Sequence, residues 1–97
     1  IRDAVTVLQT LRAAVRVLDE GNSALKDQPL VESRVRSTIG MTLQNLGHYD
    51  EAEPNLRQSL ELRRADLPPG HPDIAASLNN LATLLYIQNK FAQAEPL

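Results

Sequence analysis

Two histidines, a run of carboxylates and three serines are the side chains of this chain with more to offer than packing. His48 and His71 fall in different turns. A metal site using both would have to draw carboxylates from distant segments, so each reads as a solvated turn residue. Asp50, Glu51 and Glu53 are close enough in sequence for acid–base work. A helix start, whose dipole favours negative charge, accounts for them equally well. Ser37, Ser59 and Ser77 lack the Gly-x-Ser-x-Gly setting of a nucleophile elbow. Gly40 and Gly47 lie in a helical pattern with no Lys-Ser/Thr after them, so they form no phosphate loop. The expectation is a chain that is not an enzyme and takes no metal and no cofactor. Its work would then be done by a surface.

The totals narrow what that surface meets. The 97 residues allow one small domain. The apolar share of 42% with only Tyr49, Tyr86 and Phe91 as aromatics means an aliphatic core, which favours helices. The net charge of −2 is well mixed, leaving no electrostatic footprint for nucleic acid or an anionic membrane. No apolar run approaches the roughly 18 residues of a membrane span. With no cysteine, disulfides and cysteine metal sites are ruled out, which is compatible with a reducing compartment, and the location expected is cytoplasmic. The chain opens on Ile1 and stops on Leu97 inside a helical pattern, and reads as a piece of a longer protein.

Five helices are expected. Ala4, Leu8, Leu11, Val15 and Leu18 step by four and three, giving a helix over residues 3–20 with a near-heptad seam. Asp27-Gln28-Pro29 restarts the chain, since proline suits the first helical position. The second helix runs over residues 30–46 with Val31, Val35, Ile39, Leu43 and Leu46 as its stripe. Gly40 inside it costs about 1 kcal/mol against alanine, so a neighbouring helix should approach closely there. Gly47-His48 ends it. The third helix covers residues 50–65, burying Ala52, Leu56, Leu60 and the stem of Arg63. The two- or three-residue connection makes helices two and three antiparallel neighbours. Pro68-Pro69-Gly70 breaks the chain, and Pro72 starts a fourth helix on Ile74, Leu78, Leu81 and Leu85 that ends near Asn89. A fifth begins at Phe91.

The chain also repeats itself. Tyr49, Ala52, Glu53 and Pro54 recur as Phe91, Ala94, Glu95 and Pro96, and Ile39-Gly40, Leu43 and Gly47 as Leu81-Ala82, Leu85 and Asn89. Self-similarity at a fixed period of this size marks a repeat architecture. On these residues the chain resembles the tetratricopeptide repeat family over residues 29–97. Its spacing of 42 residues is similar to the longer repeat of the kinesin light chain type. Arg36 stands where the family carries a large apolar residue, so the first repeat should pack on something atypical, the N-terminal helix. The order of a lead-in helix, Asp-Gln-Pro and repeats is also similar to the region after the kinase domain of some large bacterial signalling proteins.

The resemblance implies an all-α solenoid piece: a lead-in or capping helix over residues 1–28, one repeat over 29–71, and a truncated second over 72–97. It implies a non-catalytic module binding a protein or peptide in a concave groove lined by the first helix of each repeat. The matching positions are Arg34, Ser37, Met41, Gln44 and Asn45 in the first repeat and Ala76, Asn79, Thr83 and Tyr86 in the second. Amides can bond a peptide backbone without demanding one sequence. The rival expectation is self-association, through the seam of the first helix or an open apolar end, making the chain an oligomerising segment of a larger, kinase-linked protein.

Overall fold

The computed structural model describes residues 2–21 and 24–89. Four helices are present among them: α1 (Arg2–Asp19), α2 (Pro29–Asn45), α3 (Tyr49–Asp66) and α4 (Pro72–Ile87). No strand occurs among the described residues, and the fold is all-α. The expected fifth helix lies outside the described residues. Prolines open α2 and α4 at the first helical turn, as expected. The turn after α2 places Gly47 at φ 84, and the corresponding Asn89 after α4 stands at φ 60. Glycine and asparagine are the residues that accept this left-handed conformation most readily. At this position the textual equivalence of the copies is also conformational equivalence.

α2 and α3 form an antiparallel hairpin. Gly40 of α2 lies against Leu56 and Ala52 of α3, Ser37 against Ser59, and Ser33 near Ser59 and Arg63. As the chain goes down one helix it goes up the other. At its far end α3 meets the start of α4, where Arg63 donates to the Asp73 carbonyl and Ser77 hydroxyl. At its near end Gln88, just past α4, reaches Asp50 of α3. α4 is thus antiparallel to α3 and parallel to α2. The slab is 18 Å through its thinnest axis, about two helix layers.

The core is aliphatic. Ile39 and Leu43 of α2, Ala52, Leu56 and Leu60 of α3, and Ile74, Leu81, Leu84 and Leu85 of α4 are all buried. Each of the leucines and isoleucines contributes about 1.5–3 kcal/mol by leaving water. A Cβ added at Gly40 would lie 2.7 Å from Leu56 Cδ2 and 3.3 Å from the Ala52 carbonyl. Leu56 is itself 1% exposed and has nowhere to turn. Gly40→Ala should therefore destabilise the chain by about 1–2 kcal/mol despite its better helix propensity, a net change that urea unfolding will read.

The α2 stripe expected from the sequence is corrected in one respect. Val31 is 40% exposed, and the face turned to α3 is made of Ser33, Ser37, Gly40 and Leu43, with Arg36 beside them. Small residues let the backbones approach, so the valines are displaced from the hairpin seam. The serines are satisfied in place: Ser59 donates to the Ser33 carbonyl at 2.7 Å and shares a bond with Ser37, and Ser33 donates to the Leu30 carbonyl. Buried hydroxyls without such partners would destabilise the fold.

Arg36 is the atypical contact that its position implied. Its side chain is 5% exposed and bonds Glu32 at 2.7 Å on its own helix, Asp19 of α1 at 3.0 Å, and Asn55 of α3. Leu18 is the one α1 residue in the fully buried core, with Leu8, Leu11, Ala14 and Val15 packed against its edge. A second tie joins Arg12 to Glu51 through two hydrogen bonds of 2.8 and 2.6 Å.

Arg12's hydrogen bonds hold the Glu51 carboxyl below its ordinary value of 4.5, against a smaller opposing effect of burial. A carboxylate so lowered stabilises the fold fully above that ordinary value, and the contribution fades as pH falls through the lowered one. Amide exchange in α1, corrected for intrinsic rates, should speed up on acidification below about pH 4.5. Glu51→Gln should show less of this acceleration than the parent chain.

Candidate functional site

The side chains that look chemically capable have structural work. His71 caps α4, its Nδ1 accepting from the Asp73 N–H at 3.0 Å. The sequence reading had missed this, since histidine is not a usual cap. His48 stands 3.7 Å from Glu51, Asp50 accepts from Gln88, and Glu53 pairs with Arg57 one turn on. Ser59 and Ser77 are fully enclosed. Among the described residues no group of three or more metal-binding side chains comes together, and no helix is long and apolar enough to cross a membrane.

A surface remains, and its two layers differ. Leu30, Val31 and Met41 of α2 and Tyr86 and Ile87 of α4 are large apolar side chains left exposed; α3 leaves none exposed among the described residues. The outer face of α3 carries Arg57, Gln58, Glu61 and Arg64 instead. The parallel pair α2 and α4 thus presents an apolar, amide-bearing face, while α3 presents a charged one. Apolar exposure gathered on one layer marks an interaction surface more often than exposure scattered evenly does.

Of the side chains expected in the groove, Arg34, Met41 and Asn45 are exposed on α2 and Gln44 is half-buried. At one hundred degrees per residue, Arg34, Met41 and Asn45 share a stripe with Thr38. On α4, Ala76, Asn79, Thr83 and Tyr86 are exposed, with Ile87 added to them. Thr83 donates its hydroxyl to the Asn79 carbonyl, as Thr38 does to Arg34, so these threonines offer methyls and acceptor lone pairs rather than free donors. Ser37 is not on this face. It is 8% exposed and turned into the hairpin against Ser59. Val31, Val35, Arg34 and Thr38 line a shallow cleft over Ile39 on the same helix, which the groove positions alone did not indicate.

A second depression separates α1 from α3. It encloses about 480 Å³ between Arg12, Val15, Arg16 and Asp19 on one side and Pro54 and Asn55 on the other, with Leu43 among its lining. It exists because α1 touches the hairpin chiefly through its C-terminal half.

Comparison with known proteins agrees with this geometry. The tetratricopeptide repeat family matches residues 32–97. Nephrocystin-3 of Mus musculus is 39% identical over 76 residues, which is 78% of this chain and 6% of that protein. Nephrocystin-3 of Xenopus laevis is 42% identical over 60 residues, 62% of this chain and 5% of that protein. The human protein of the same name is also 42% identical over 60 residues, 4% of its length. The chain therefore spans about one-twentieth of the curated relatives it matches. A helical hairpin with a further helix packed antiparallel on it, a left-handed residue closing the first helix of each copy and a match over most of the length lead to one conclusion: the chain belongs to the tetratricopeptide repeat family, a fold of protein–protein interaction modules.

Proposed function

We infer that this chain holds a segment of a partner protein against the outer faces of α2 and α4, and that it does no catalysis. The observation that carries this reading is the division of exposed apolar side chains. Met41, Tyr86, Ile87 and Val31 lie on the first-helix layer, and α3 has no counterpart among the described residues. Tyrosine and methionine suit such a face. One is a rigid amphipathic anchor and the other adapts its shape. Arg34, Gln44, Asn45, Asn79 and Thr83 supply polar contacts around them, and Ser37 supports the face from behind. Cytoplasmic placement and the absence of a nucleic-acid or membrane role belong to the same reading, as do repeat boundaries at residues 29 and 72.

Peptides selected on this chain from a displayed library test it. A Met41→Ala, Tyr86→Ala double variant should weaken a selected peptide at least about tenfold, as expected when apolar anchors are removed. Its melting temperature should stay near that of the parent, since both side chains are about half exposed. A Glu61→Ala, Arg64→Ala variant on the α3 face should bind normally. Loss of binding with the α3 variant alone would contradict the reading.

A second reading has one observation in its favour. Val5, Val7 and Val17 leave α1 with apolar side chains 43–51% exposed, as a self-associating helix would. Light scattering separates the two: the groove reading expects a monomer, and self-association expects a dimer that Val5→Ser, Val17→Ser dissociates.

A further inference from the structure

α1 is held to the rest of the chain in an unusual way. α2, α3 and α4 share an apolar core, to which α1 adds Leu18 as the one buried side chain among its described residues. Leu8, Leu11, Ala14 and Val15 reach only the edge of that core, and an open cleft remains between Arg12, Val15 and Asp19 of α1 and Pro54 and Asn55 of α3. Two ion pairs fasten the helix, Arg12 to Glu51 across the cleft and Asp19 to Arg36 of α2 at the C-terminal end of α1. Arg12, Val15 and Asp19 share one face of α1, with the two charges two turns apart. The helix bridges the cleft by its charges.

Each partner on the far side has somewhere else to turn. Arg36 keeps Glu32 at 2.7 Å and Asn55 at 3.2 Å whether or not Asp19 is there. Glu51 is itself 38% exposed, so water can take over its carboxylate. On α1, Asp19 is 62% exposed and Arg12 48%, so water can take them over. Removing one partner of a buried pair is expensive when it strands the other charge. Neither charge is stranded here. The pairs therefore fasten α1 without making the hairpin dependent on it.

We propose that α1 is a releasable arm, latched over the α1–α3 cleft by the Arg12–Glu51 and Asp19–Arg36 pairs, and that ionic strength sets whether it is docked. Release uncovers the Leu43, Pro54 and Asn55 wall of the cleft while α2, α3 and α4 remain folded. The arm is a switch read through salt, because pairs made with exposed side chains contribute only modestly in water and are weakened further as salt is added.

Hydrogen–deuterium exchange of the whole 97-residue chain in 10 mM and 1 M sodium chloride tests this. Amide protection over residues 2–19 should fall about tenfold in high salt, with α2, α3 and α4 unchanged, as for a locally opening unit. An Asp19→Asn, Glu51→Gln variant alters only partly exposed side chains. It should show the low protection already in 10 mM salt and no further change in 1 M. The proposal is overturned if α1 is equally protected in both salts, if all four helices lose protection together, or if the double variant protects α1 as well as the parent does.

Discussion

Leu81→Ala is expected to destabilise the chain by about 3 kcal/mol and to lower its melting temperature by roughly 15 °C. Leu81 is fully enclosed, as are Leu84 and Leu85 beside it, and together they are the largest apolar contribution of α4. Truncation removes three carbons from contact and leaves a void. α3 and α4 cannot close it, because Arg63 fixes their separation through Ser77 and the Asp73 carbonyl. A domain of this size has a total stability of only about 5–15 kcal/mol, so the loss should be plain in a thermal melt followed by circular dichroism. Ile87→Ala, on the exposed face of the same helix, serves as the control and should move the midpoint little. A loss under about 1 kcal/mol at Leu81 would mean that α4 does not seal the core.

Arg63→Ala should cost about as much, for a different reason. The side chain is 9% exposed and its guanidinium donates to the Ser33 hydroxyl, the Ser77 hydroxyl and the Asp73 carbonyl. It is the joint between the first hairpin and α4. Hydrogen bonds to a charged group contribute about 1.5–3 kcal/mol each, and they are not additive. Loss of the aliphatic stem adds to the damage, giving a total of about 3 kcal/mol. Arg63→Lys should recover only a minor part, since one ammonium cannot occupy three directions at once. Urea unfolding with an unchanged slope would place the loss in the folded state. Full rescue by lysine would show that charge alone matters at this joint.

Much of the architecture was legible because it repeats or because it is local. The offset of 42 residues paired Gly47 with Asn89, and both proved to be left-handed turns. Gly40 in a helix interior implied a close neighbour, and Leu56 is that neighbour. Prolines marked the starts of α2 and α4. Arg36 in an apolar position pointed to α1, and Asp19 answers it.

What escaped the sequence is the polar interior. Ser33, Ser37, Ser59 and Ser77 belong to a residue type that usually faces water, and each is buried by a partner far along the chain. No local signal announces that Ser59 will meet Ser33 and Ser37 of the preceding helix, or that Ser77 will accept from Arg63. The same blindness placed Ser37 on the groove, because its repeat position was clear and its burial was not. Val31 was read inward because apolar spacing alone cannot tell a close-packed seam of small residues from a stripe of large ones. Met41 and Tyr86 were legible as surface residues from their repeat positions, whereas the exposure of Ile87 and Val31 beside them was not, since these are residue types expected in a core.

The most direct test of the central claim is a footprint. A selected peptide bound to this chain should slow amide exchange and shift backbone resonances along α2 and α4, centred on Arg34, Met41, Asn45, Thr83 and Tyr86, leaving the outer face of α3 unchanged. A footprint centred on Arg57, Glu61 and Arg64 of α3 would contradict the assignment of the interaction surface to the first-helix layer.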